Sequence, residues 1–141
     1  FNTSLTAGVD YFLQIAARDV GSIAGFIGEF NLSGSDHQFA NGTTTLQTNT
    51  SSDWSGNNPG WGASAVSLVT GGSNGDGPWG TRIGIGASAQ WIWTIDNDAT
   101  DPLYNHAWFS TAITAVQVPA PMPLLAFAMG LLLLGAHRAR R

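Results

Sequence analysis

The chain contains no cysteine and no lysine. Without cysteine it can form no disulfide, no thiolate zinc site and no thiol nucleophile. Charged residues make up only 10% of its 141 residues, well under the usual quarter. The five basic residues are Arg18, Arg82, Arg138, Arg140 and Arg141. Residues 1–117 therefore set two arginines against nine carboxylates, a net −7, while the last residues carry +3. An acidic body without a basic patch cannot neutralise phosphates, which excludes nucleic acid as a partner. Glutamate occurs once, at Glu29, and no pair of aspartates has the spacing of a glycosidase pair. No Gly-x-Ser-x-Gly elbow and no His-Glu-x-x-His motif is present. The glycine-rich run 71–80 has no following lysine and opens no helix, so it is not a phosphate loop. These absences give the expectation of a protein that is not an enzyme. The chain as read begins at Phe1, without Met or a basic-apolar segment. The expectation is a removed signal peptide or an N-terminal truncation.

The C-terminal end is a separate physical object. From Leu124 to Ala136 no side chain is polar, about 20 Å of helix. Leu131 to Leu134 would be apolar all round, with no face to offer water. A bilayer core is about 30 Å thick, and snorkelling arginines with apolar residues from Val116 onward extend the span. The arginines behind the run act as a stop and set the orientation, with the body outside and the basic end in the cytoplasm. The expectation is one transmembrane helix over 122–136, a basic tail over 137–141 and a domain boundary at 116–117. Membrane lipid is the implied partner.

Ahead of that helix stand Val118, Pro119, Ala120 and Pro121. The prolines keep the segment extended. The order of Val-Pro-x-Pro motif, apolar helix and terminal cluster Arg138, Arg140, Arg141 resembles the PEP-CTERM sorting signal of Gram-negative bacteria. The third motif position, usually Glu, is Ala120 here. The resemblance implies recognition by exosortase, cleavage near the motif and an organism that makes exopolysaccharide. Localisation follows: a membrane-held intermediate with its body in the periplasm, then the cell surface or extracellular matrix.

Residues 1–116 hold no sustained helical period. Strands are expected near 11–17, 24–32, 38–40, 44–48, 65–70, 82–85, 90–95 and 107–116. Turn clusters separate them: Asn41-Gly42, Ser55 to Gly60, Gly71 to Gly77, and Asp96 to Pro102. Short strands with turns every 8–12 residues predict an all-β sandwich or jelly roll. With six Trp and seven Phe, the body has the means to build a core without disulfides. The segments Tyr11 to Ile15, Ala17 to Gly21, Leu46 to Thr48, Gly77 to Trp79, Ala89 to Trp93 and Trp108 to Thr111 resemble galactose-binding-like jelly rolls. In that family further strands precede the segment matching Leu5–Ile15, so the resemblance implies truncation and an unpaired sheet edge.

Trp54, Trp61 and Trp79 sit in Gly/Asn/Pro-rich loops. An indole there either stacks on a sugar's C–H face, with neighbouring Asn and Asp on its hydroxyls, or covers an end of the sandwich. Trp91, Trp93 and Trp108 read as core. Asp96, Asp98 and Asp101 form a carboxylate loop that either binds calcium or is a solvated turn. Asn74 and Asp76 are a second calcium candidate. His37 and His106 read as surface residues. Apart from calcium, no cofactor is implied. The expected function is an exported, non-enzymatic surface or matrix protein associated with exopolysaccharide. The alternatives are a carbohydrate-binding module and an accessory domain of a truncated glycoside-active enzyme.

Overall fold

The computed structural model describes residues 1–21, 23–94 and 105–117. The sorting motif, the apolar helix 122–136, the arginine cluster and the loop with Asp96, Asp98 and Asp101 lie outside the described residues. Among the described residues, no helix is long and apolar enough to cross a membrane.

The described body is all-β. Eight strands run in chain order: β1 (Tyr11–Arg18), β2 (Glu29–Asn31), β3 (His37–Phe39), β4 (Thr45–Gln47), β5 (Ser55–Asn57), β6 (Leu68–Ser73), β7 (Gln90–Thr94) and β8 (His106–Ala115). β8 organises them. One of its edges pairs antiparallel with the whole of β1, from Tyr11↔Ile113 to Arg18↔His106. Its other edge takes β5 at Trp108 to Ser110 and β3 at Ile113 to Ala115. Two antiparallel pairs, β2 with β4 and β6 with β7, complete the fold.

Alternation along β8 builds the core. Ala107, Phe109, Thr111 and Ile113 point inward and are buried, while Trp108, Ser110, Ala112 and Thr114 are half-buried on the other face. Phe109 stacks on Phe26 at 5.3 Å and meets the edge of Trp93 at 5.9 Å. Those two contacts press the β8 sheet against β7. Leu46 from β4, Phe39 from β3 and Trp54 close the cluster.

Buried polar side chains tie the pairs together. Thr48 is fully buried. Its hydroxyl accepts from Gly28 N (3.1 Å) and donates to Gln90 O (2.7 Å), which joins the β2–β4 pair to β7. Asn58 donates from Nδ2 to Thr94 Oγ1 (2.6 Å) and to His106 O (2.9 Å), fixing the end of β5 between β7 and β8.

Four segments differ from the sequence expectation. The expected strand 65–70 is observed as β6 at Leu68–Ser73, so Gly71 to Ser73, expected as a turn, continue the strand through a register shift between Thr70 and Ser73. Ser55 to Asn57, expected as a turn, is strand β5. Gly56 lets it approach: a Cβ there would lie 2.7 Å from Leu68 Cδ2 and 3.3 Å from Phe109 Cδ1. Residues 82–85, expected as a strand, form a turn in which Gly84 has φ +84°. Their backbone bonds to the Asn74 side chain instead of to a neighbouring strand. Asn74 Nδ2 donates to Arg82 O (3.1 Å) and Ile85 O (2.7 Å), and Arg82 N donates to Asn74 Oδ1 (2.7 Å). The expected strand 24–32 shortens to β2, preceded by a single bridge from Phe26 to Ile92.

Candidate functional site

The loop between β6 and β7 folds back over β7 and gathers the exposed aromatic and basic groups of this end. Its Trp79 stacks on Trp91 of β7, with centroids 4.6 Å apart and planes 26° from parallel. The Arg82 guanidinium carbon lies 5.3 Å from the Trp91 ring centre, within cation–π range. Gly25 makes room beneath, since a Cβ there would lie 2.8 Å from Trp79 and 3.2 Å from Trp91. Trp79 keeps partial access to solvent, whereas Trp91 is buried and its Nε1 has no hydrogen-bond partner.

The three tryptophans read as either sugar platforms or covers of the sandwich separate by environment. Trp61 is 47% exposed, in a turn between Gly60 and Gly62, both at positive φ. Trp79 is half-buried. Trp54 is 4% exposed and is a core residue, which removes it as a candidate for a sugar site and leaves the structural reading. Its ring lies 5.7 Å from Phe30 and 6.3 Å from Phe26, and its Nε1 donates to Gln47 O at 3.0 Å. A sugar needs an open indole face, and Trp54 has none.

One further expectation is corrected. His37 is not a surface residue. It is 6% exposed in β3, and its Nε2 donates to Val9 O at 2.9 Å. Burial and that bond make it a strut holding residues 6–9 against the sheet. His106 is exposed and stacks on Trp108 at 5.7 Å. Asn74 and Asp76, the second calcium candidate, are both hydrogen-bonded within their own loop. Both ends of the Asn74 amide hold the 82–85 turn, and Asp76 Oδ2 accepts from Ser73 N at 2.6 Å. Among the described residues, no group of three or more His, Asp and Glu converges on one point.

Glu29 holds the loop to the β2–β4 pair. Its Oε2 accepts from Gln47 Nε2 (2.7 Å) and Gly86 N (2.9 Å), and Gln47 Oε1 accepts in turn from Ser88 (2.7 Å). The Gln47 amide and then the Gly86 N–H hold the Glu29 carboxyl below its ordinary 4.5. Donors that favour the charged form make this a structural acceptor rather than a proton donor. A depressed folded-state pKa contributes stability above the unfolded value and loses it as pH falls through the folded one. The expected result is a thermal midpoint that drops below about pH 4.5 in the native chain. The Glu29→Gln chain should start lower at neutral pH and show a flatter acid limb in a circular-dichroism melt series.

A groove of about 660 Å³ lies beside this network, between residues 1–5 and the β2–β3 region. Leu5, Phe30, Asp36 and His37 line it together with Glu29. Two of its polar groups, Glu29 and His37, are already bonded within the fold. The sequence reading did not single out Arg82, whose guanidinium lies over Trp91. The only signal for it was its isolation as one of two basic residues in the acidic body. Searches against protein-family models, curated proteins and solved structures found no match to this chain.

Proposed function

We propose that this chain is an exported, non-enzymatic surface or extracellular-matrix protein, held at the inner membrane by its C-terminal segment. The observation that carries the reading is the polar-free run Leu124 to Ala136 followed by Arg138, Arg140 and Arg141. Such a segment prefers lipid, and its guanidinium groups anchor the cytoplasmic side. Val118, Pro119, Ala120 and Pro121 are the proposed exosortase recognition motif, and exopolysaccharide is the proposed surrounding. We take the finer architecture to be a jelly-roll sandwich followed by one transmembrane helix. The acidic, Thr/Asn-rich body would stay soluble and unattached to the anionic membrane surface.

The test is surface display of the full chain with all three terminal arginines changed to Gln. Loss of correct membrane orientation and of display is expected. Display at the level of the native chain would refute the sorting role.

A second reading, a carbohydrate-binding module, is favoured by the exposure of Trp61 and the partial exposure of Trp79. An open indole face suits the C–H face of a sugar ring. Trp54 is not part of this reading.

A further inference from the structure

β1 is an eight-residue strand whose second edge pairs with no described residue. Its ladder to β8 runs without a bulge, and it contains no Lys and no Pro. Edge strands are usually protected by such devices or by charged side chains, and β1 carries only Arg18, at its end. Burial drops sharply across one strand step. On β8, Ala107, Phe109, Thr111 and Ile113 are at most 7% exposed. Their β1 partners Ala17, Ile15, Leu13 and Tyr11 are only half-buried. On the outward face Phe12 is 69% exposed.

We propose that this edge pairs antiparallel with β1 of a second copy, about a two-fold axis at Gln14. Directly opposed residues in an antiparallel pair share a face, so a self-pairing axis must fall on a residue and not between two. The axis at Gln14 sets Asp10 opposite Arg18 twice, Phe12 opposite Ala16 and Leu13 opposite Ile15. Moving it to Leu13 sets Asp10 opposite Ala16, and moving it to Ile15 sets Arg18 opposite Phe12. Only the Gln14 register pairs the opposite charges, each pair favourable and each shift unfavourable. Asp10 and Arg18 are both exposed. Asp10 Oδ1 accepts from Ala115 N of β8 at 2.8 Å, so the pairing with Arg18 of the second copy requires the carboxylate to turn from β8 toward the free edge.

The chain's lack of cysteine makes the test direct. Opposed Cα atoms lie about 4.5–5.5 Å apart, within disulfide reach. In the full chain, Gln14→Cys is expected to give a covalent dimer on mild oxidation, read by non-reducing electrophoresis. Ala16→Cys places its two copies four residues apart along the strands, roughly 13 Å. It should cross-link at least about tenfold less. Adding Arg18→Asp to Gln14→Cys should cut dimer yield by about tenfold, and adding Asp10→Arg as well should restore it. Equal cross-linking at positions 14 and 16, none at 14, or no rescue by the charge swap would each overturn the proposal. A different segment occupying the edge would appear as the second of these outcomes.

Discussion

Phe109→Ala is expected to cost about 3–5 kcal/mol, as truncation of a buried aromatic does. Phe109 is 0% exposed at the middle of β8, the strand that bonds to β1, β3 and β5. Its ring carries the contacts to Phe26 and Trp93 that join the sheet to β7. Neighbouring side chains cannot collapse into the gap without shifting β5, which packs against the same ring at Gly56. Small domains hold only about 5–15 kcal/mol in total, so the variant would be marginal or unfolded at room temperature. Urea denaturation of the full chain reads the effect as a midpoint lowered by roughly 2 M, or as no folded baseline. Ile83→Ala, at a fully exposed position, should stay within about 0.5 kcal/mol of the native chain. A loss under about 1 kcal/mol at Phe109 would mean that the core is not assembled around this ring.

The second large effect comes from adding atoms rather than removing them. Gly56→Val is expected to cost about 3 kcal/mol, and Gly56→Ala about 1–3 kcal/mol. A Cβ at this position meets Leu68 Cδ2 at 2.7 Å, Thr94 Cγ2 at 3.2 Å and Phe109 Cδ1 at 3.3 Å. The groups belong to β6, β7 and β8, so no single side-chain rotation relieves all three. Gly34→Ala, with open space around its Cβ, serves as the control and should be near neutral. Pairing Gly56→Ala with Leu68→Val removes the nearest clashing methyl and should recover part of the loss. That coupling is measured as a double-mutant cycle in the same denaturation series.

Much of the strand inventory was legible because alternation is a local signal. β1, β3, β4, β7 and β8 fall within a residue or two of the segments read from period and turn residues. The candidate site was legible only in part. Trp61 and Trp79 keep access to solvent, but Trp54 does not. All three stand in similar Gly/Asn-rich stretches, and nothing local separates them. The difference is that Phe26 and Phe30, more than 20 residues away, close over Trp54. His37, a lone imidazole beside Asp36, was read as a surface residue. Its partner Val9 is 28 residues distant and invisible to any local window.

Composition and periodicity alone determined an acidic, cysteine-free, all-β body and the chemistry of a greasy, arginine-ended C-terminal segment. These are properties of residue type and spacing, which no partner can alter. Tertiary structure decided which glycine-rich stretch became β5, which became a side-chain-held turn, and which tryptophan was enclosed. Each of those outcomes depends on a contact outside the immediate neighbourhood in the chain, from 8 residues away at Asn74 to more than 20 at Trp54. At Gly56 a missing Cβ admits three other strands, and at Asn74 one amide replaces a strand neighbour. Local propensity cannot carry that information, because a single side chain in the right place outweighs it.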